Sequence, residues 1–194
     1  MQEKNIISFI NFLKLFRNIS ATDEAIIADN LQTRNVNEYE ILLQQGKTAK
    51  ELFFICKGVL KIVSVNEKGK DVTQFFLKEN QFCTVLNSFN NNVPANESIV
   101  AACNTELVLF SKEKLLQVYK AIPYFKESIH SITQQALLDK IAIRNSYLGE
   151  DAQTRYQKFI LQQPEIALRV SLSDIASYLG ITQQSLSRIR KNMR

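Results

Sequence analysis

The side chains best suited to molecular recognition lie at the end of the chain, in the segment "ITQQSLSRIRKNMR". An arginine can donate two hydrogen bonds to a guanine edge, and a glutamine amide can pair with adenine. Hydroxyl and ammonium groups can hold DNA phosphates without reading a base sequence. From Thr182 onward there is no acidic residue, which would repel a phosphate. These residue types predict a DNA-contacting surface formed by Thr182, Gln183, Gln184, Ser185, Ser187, Arg188, Arg190, Lys191 and Arg194.

Two short helices joined at a glycine would hold these side chains on one outward face. Ser171, followed three residues later by Asp174, is typical of a capped helix start, and Gly180 can end that helix with a positive φ. Thr182 can cap a second helix. Its apolar residues recur at spacings of three and four, at Leu186, Ile189 and Met193. The pattern predicts a helix-turn-helix, whose second helix enters the major groove. The alternative is an ordinary amphipathic hairpin with a solvated basic face.

A long helix is expected upstream, over residues of about 124–147. Its first half carries one apolar stripe, whereas its second half is apolar on nearly every side. A helix that is apolar all round must be covered all round, so we expect one flank to pack on its own barrel and the other on a second copy of the chain. Burial within one subunit is the alternative. The expected dimer interface contains Ile129, Ile132, Ala136, Leu137, Ile141 and Ile143.

Between Arg34 and Phe110 the chain consists of short β-branched and aromatic runs, separated by turns rich in glycine and asparagine. Many short strands at this spacing predict a jelly-roll barrel, whose closure protects its edges. The expected fold class is therefore α+β, with an N-terminal β jelly-roll barrel with flanking helices, a long dimerisation helix and a C-terminal all-α helix-turn-helix domain. We place the boundary at the Gly149 hinge, giving an effector domain over 1–148 and a DNA-binding domain over 149–194.

The order of barrel, long helix, hinge and "IASYLGITQQSLSRIR" resembles the Crp/Fnr superfamily of bacterial transcription regulators over nearly the whole chain. The resemblance implies a homodimer that binds double-stranded DNA, with RNA polymerase and an unknown small-molecule effector as further candidate partners. The family's base-reading Arg, Glu and Arg correspond to Gln183, Gln184 and Arg188, so we expect a different half-site. The family's two-stranded wing is expected to be missing here. We expect Arg190, Lys191 and Arg194 to make the phosphate contacts that a wing makes in the family.

The resemblance also implies a cyclic-nucleotide-binding-like barrel, but the cassette that would hold the nucleotide is changed. The family pattern is close to G-D-F-x-G-E-L and a later R-S or R-T, whereas this chain reads "NQFCTVL" and "NES". Thr84 and Val85 replace the glycine and the ribose-binding carboxylate, and Glu97 lies near the missing arginine. No lysine or arginine occurs between Lys78 and Lys112, and a buried phosphate needs a cation or several N–H donors. We therefore expect no response to cAMP or cGMP. The segment "FNNNVPANES" is either a loop around another small molecule or a solvated loop.

Other functional classes are less compatible with the composition. We expect no enzyme activity, no cofactor and no metal, because the chain has one histidine, His130, no C-x-x-C pair and no catalytic motif. Cys56, Cys83 and Cys103 are expected to be reduced thiols of a cytoplasmic protein, and no segment is apolar over the ~18 residues of a membrane span. The alternative function is a signalling or protein-interaction module that does not bind DNA.

Overall fold

Eight strands form a jelly-roll barrel in the computed structural model, which describes residues 2–193. One sheet has the order β1–β8–β3–β6 and the other β2–β7–β4–β5, and every neighbouring pair is antiparallel. This arrangement confirms the predicted barrel. The strands are β1 Gln32–Val36, β2 Ile41–Leu43, β3 Glu51–Lys57, β4 Leu60–Val65, β5 Asp71–Leu77, β6 Phe82–Cys83, β7 Ser98–Ala101 and β8 Thr105–Ser111.

Two helices precede the barrel, α1 (Gln2–Lys14) and α2 (Ala21–Asp29). Helix α1 packs on β1, β3 and β8. The ring of Phe9 is fully buried there, with its centroid 4.9 Å from that of Phe54 and 5.9 Å from that of Phe110. The helix therefore closes one face of the barrel core. Edge-to-face contacts between the aromatic rings stabilise this packing beyond the burial of apolar surface alone.

A short helix, α3 (Leu86–Asn91), occupies the start of the segment that the sequence predicts to be a loop. The helix ends at Asn92, whose backbone has the left-handed conformation. The N–H of Asn92 donates to the Ser88 carbonyl. The ammonium group of Lys112, at the start of α4 (Lys112–Ala121), donates to the Phe89 carbonyl and to the Asn92 side chain. A cation from a distant part of the sequence thus satisfies the C-terminal carbonyls of α3.

The long helix α5 spans Pro123–Asn145, two residues short of its expected end. Proline at its first position costs little, because the N–H that proline lacks would have no helical partner there. Phe125 and the first-half apolar stripe are buried against the barrel. Among the described helices, α5 included, none contains a stretch long and apolar enough to cross a membrane.

The C-terminal part consists of α6 (Ala152–Gln162), α7 (Pro164–Ala167), α8 (Leu172–Leu179) and α9 (Gln183–Asn192). Their buried side chains form a second core that also includes Val59, Phe76 and Ala102 of the barrel. The expected boundary at Gly149 falls in the turn between α5 and α6, where φ is +77°. Because the second core continues into the barrel, the two parts are joined by apolar packing as well as by this turn.

Candidate nucleic-acid interface

The turn between α8 and α9 is built from the capping residues that the sequence indicates. The Ser171 hydroxyl accepts a hydrogen bond from the Asp174 N–H at 3.1 Å, and the Thr182 hydroxyl accepts one from the Ser185 N–H at 3.1 Å. Gly180 ends α8 in the left-handed conformation with φ of +66°. A side chain is strained at such a φ, so glycine is the favoured residue there. The predicted helix–turn–helix geometry is therefore present.

The inner face of α9 is anchored by Leu186, which is fully buried, and by Ile189, which packs against the same core from a partly buried position. Met193, the third apolar residue predicted on this face, is not buried. It follows the last helical residue as the C-cap and keeps 38% of its surface exposed.

The outer face of α9 presents most of the predicted DNA-contacting side chains to solvent. Within the described residues, no ion pair involves Arg188, Arg190 or Lys191, so their charges are not neutralised by a neighbouring carboxylate. Ser185 and Arg190 are half-buried, and Arg194 lies outside the described residues. The exposed members of the predicted surface are Thr182, Gln183, Gln184, Ser187, Arg188 and Lys191.

Two hydroxyl groups of this surface, those of Thr182 and Ser185, are already used within the turn. The Thr182 hydroxyl donates to the Ser185 oxygen at 2.9 Å while it caps α9. We therefore assign these two residues first to holding the start of the helix. An N-terminal helical turn also attracts phosphate through its free N–H groups, so this end of α9 and its cationic side chains favour the same kind of ligand.

The opposite side of the helix-turn-helix is fixed to the barrel by α8. The Lys61 ammonium of β4 lies 2.5 Å from a carboxylate oxygen of Asp174, and each of these side chains is only 11% exposed. The N–H of Thr73 in β5 donates to the Ser177 hydroxyl at 2.9 Å. This ion pair was not predicted from the sequence. Its signal was a lysine in a strand, β4, whose neighbouring residues are apolar.

A second set of contacts joins the barrel to the loops around α7. The guanidinium group of Arg169 forms a two-pronged interaction with Glu79, and its Nη2 lies 2.9 Å from Oε2. Burial opposes ionisation of Glu79, but hydrogen bonds from Arg169 and the Gly58 N–H outweigh it and lower the pKa of the carboxyl. The ring of Phe76 lies 5.1 Å from that of Tyr178 in α8. Because α8 and the loop before it make these contacts with the barrel, the outer face of α9 is left free.

The predicted dimer interface on α5 is only partly available. Ile129 and Ile132 are buried in the core of their own subunit, which leaves them little surface to offer a second copy. Ile143 packs partly against the second core, and Ala136 is half-buried. The apolar side chains that α5 leaves exposed are Leu137, Leu138 and Ile141, at 40%, 53% and 42% of their surface.

A cavity of about 430 Å³ lies between α3, the loop before β7, strands β4 and β5, and Leu137 of α5. Thr84, Val85 and Glu97, which the sequence places in the altered nucleotide cassette, all line it. Glu97 is the one ionisable side chain in the lining, and no lysine or arginine contributes to it. The cavity lining therefore agrees with the expectation that a phosphate would find no paired cation here.

The remaining candidate ligands for a metal are dispersed. His130 is exposed and lines a different cavity, of about 420 Å³, between α3, α4 and α5. All three cysteines are free, and burial raises the pKa of the Cys83 thiol to about 12. Over residues 2–193, no group of three or more His, Cys, Asp and Glu side chains could hold a metal ion.

Comparisons with known proteins agree with this architecture. The model of the cyclic nucleotide-binding domain matches residues 33–121. The potassium channel KOR1 of Oryza sativa subsp. japonica is 25% identical over 183 residues, which cover 94% of this chain. That match covers 20% of the channel, and the chain spans about a fifth of the length of the curated relatives it matches.

Solved structures with the same fold are bacterial regulators. A transcriptional regulator of the Crp/Fnr family from Eubacterium rectale superimposes with a TM-score of 0.73 at 18% identity, covering 94% of this chain and 87% of that one. FixK2 from Bradyrhizobium japonicum gives a TM-score of 0.71 at 15% identity, covering 84% of each chain. Residues 33–121 thus match the cyclic nucleotide-binding domain model, and most of the chain shares the fold of the Crp/Fnr regulator from Eubacterium rectale.

Proposed function

We propose that the chain is a sequence-specific DNA-binding transcription regulator of the Crp/Fnr type. The observation that carries the proposal is the exposed outer face of α9, which combines Arg188 and Lys191 with two glutamine amides. Leu186 is fully buried beneath that face and fixes its orientation. A rigid helix that projects amide and guanidinium groups matches the chemistry of base edges in the major groove.

Different residues of α9 have different roles in this proposal. Arg188 reads a guanine, and Gln183 and Gln184 contact bases near the start of the helix. Arg190 and Lys191 contact phosphates and carry no sequence information. Because two of the three positions that correspond to the family's base-reading residues hold glutamine, the half-site differs from the one usual in the family.

We further propose that the chain acts as a homodimer, with α5 as the contact. Leu137, Leu138 and Ile141 fall within five residues of each other on the half of α5 that the barrel leaves exposed. A second copy would cover these side chains from water and place two α9 helices on one duplex. A twofold dimer of this kind binds two half-sites about 10–10.5 base pairs, or a multiple, apart.

Selection of bound sequences from a random duplex pool tests the DNA-binding proposal. We expect enrichment of an inverted repeat, and we expect the affinity for it to fall with a slope of about 0.9 per phosphate contact on a log–log salt plot. Absence of any enriched sequence together with a flat salt response would contradict the proposal.

The second candidate function is a signalling or protein-interaction module that does not bind DNA. It is supported by the match to a potassium channel. That match covers 94% of this chain and includes most of α6–α9. In that case α9 would present its charges to a protein surface. The same experiment separates the two functions, because only DNA binding requires release of the counterions condensed on a duplex.

A further inference from the structure

We propose that the cavity of about 430 Å³ beside α3 binds a small organic cation, a primary ammonium compound with an apolar ring. The inference rests on the proposed function in one respect only, which is that this ligand acts as the effector of a regulator. It departs from the ligand class named by the matching domain family, because the charge of the lining is opposite to the charge that a phosphate requires.

The charge of the cavity is set by Glu97. Its side chain is half-buried and lines the cavity, and it forms no ion pair with any residue of the described range 2–193. A carboxylate that is partly removed from water and has no cation beside it favours a ligand that brings one. An ammonium group supplies both the opposite charge and N–H donors.

The hydroxyl groups around Glu97 are already hydrogen-bonded within the protein. Thr84 donates to the Glu51 carbonyl at 3.0 Å. Ser88 accepts from the Ala49 N–H at 2.8 Å and donates to the Val93 carbonyl at 2.5 Å. These groups therefore shape the cavity wall, and Glu97 is left as its principal charged recognition group.

The apolar part of the lining fits a ring or a short hydrocarbon. Ile62 of β4, Phe75 of β5 and Leu137 of α5 contribute to the same cavity. Leu137 links the site to the exposed face of α5. A ligand in contact with this side chain would therefore touch the helix that we propose as the dimer contact.

Three cations of the protein lie near the cavity but outside its lining, although the two partners of Arg144, Gln74 and Phe75, belong to that lining. Lys112 caps the C-terminal end of α3. Arg144 donates to the Gln74 side chain at 2.9 Å and lies over the ring of Phe75. Lys140 lines an adjoining cavity of about 100 Å³ that shares Phe75 and Leu137 with this one, and burial lowers the pKa of its ammonium group. None of these three side chains contributes to the lining beside Glu97.

Three probes of similar size and different charge test the inference: 2-phenylethylamine, 2-phenylethanol and phenylacetate. We expect calorimetry with the full chain at pH 7, without DNA, to give about tenfold tighter binding of the amine than of the alcohol, and weaker binding still of phenylacetate. Glu97→Gln should remove the advantage of the amine over the alcohol. The control Glu67→Gln, in the exposed turn between β4 and β5, should leave it unchanged.

The inference is overturned if the amine does not bind, or if the alcohol or phenylacetate binds as tightly. It is also overturned if cAMP binds with a micromolar dissociation constant. Because the series on the unaltered protein already compares the three charges, the result does not depend on how well Glu97→Gln folds. A chain that binds the amine but enriches no DNA sequence would refute the proposed function and leave this inference standing.

Discussion

Arg188 lies on the exposed outer face of α9, which we propose enters the major groove. If it reads a guanine, Arg188→Ala should cost about 1–3 kcal/mol of binding free energy at the selected site and relax the base preference at one position. Competition binding on duplexes that vary at each position measures both effects.

Lys191→Ala is the matched control for Arg188→Ala. Lys191 is also exposed on α9 and is proposed to contact phosphate only, so its loss should weaken all sequences similarly and lower the salt slope by about one. An Arg188→Ala protein with an unchanged site preference would show that this side chain does not face the bases.

Gly58 joins β3 to β4 at a place where no side chain fits. Its φ is +103°, and an added Cβ would lie 2.4 Å from the Thr105 hydroxyl and 2.7 Å from the Asn104 carbonyl oxygen. Gly58→Ala should therefore lower the free energy of unfolding by about 3 kcal/mol or more. Gly69→Ala is the control, because its φ of +71° is similarly unfavourable but its surroundings are open. We expect Gly69→Ala to cost only about 1 kcal/mol in the same denaturant titration, and equal losses would contradict the steric explanation.

At the scale of elements, α5 illustrates why an apolar pattern does not by itself identify an interface. The first-half stripe and the exposed second-half residues are equally apolar in the sequence, yet Ile129 is 4% exposed and Leu138 is 53% exposed. The difference arises because α4 and the barrel cover only the first half of the helix. Sequence periodicity gives the faces of a helix, but not which neighbour covers each of them.

The exposed half of α5 leads to a prediction about assembly. The double variant Leu138→Lys, Ile141→Lys should raise the dimer dissociation constant by at least about a hundredfold, because like charges would meet across the twofold contact. Sedimentation velocity should then show a monomer at micromolar concentration. Leu161→Lys, at a residue of α6 that is 79% exposed, is the control and should sediment like the unaltered protein. A double variant that remains dimeric would place the interface elsewhere.

Helix α3 shows the reverse case, a structured element that local sequence signals conceal. Its residues are mostly asparagine, serine and phenylalanine, which favour turns or strands as much as helices. The helix is completed by Lys112, more than 20 residues further along the chain, which binds its last carbonyls. A short sequence window around α3 does not contain Lys112 and therefore cannot predict this contact.

At the scale of the whole molecule, the contacts between the barrel and the C-terminal helices position the face that we propose contacts DNA. Glu79→Gln should lower the free energy of unfolding at pH 7 by about 1–2 kcal/mol, because it removes a charged partner of Arg169 and weakens the acceptor for the Gly58 N–H. The folded-state pKa of Glu79 is lower than its ordinary value of 4.5, so this stabilisation is present above pH 4.5 and is lost as the pH falls through the folded-state pKa.

The difference between wild type and Glu79→Gln should therefore shrink toward zero as unfolding is measured at progressively lower pH below 4.5. Glu67→Gln, in an exposed turn, should differ little from wild type at any pH. A stability difference for Glu79→Gln that is the same at pH 7 and in acid would mean that the carboxylate charge does not support the contact between the two parts.

The sequence by itself determined the barrel, the capped helices and the composition of the α9 surface, because these depend on short-range periodicity and on side chains within one or two turns of each other. It also placed Thr84, Val85 and Glu97 together, through the resemblance to a known cassette. Tertiary structure alone decided what covers each apolar face and which distant charges meet, as in the pair of Lys61 with Asp174. That pair joins residues 113 positions apart, and its geometry depends on the packing of the complete chain.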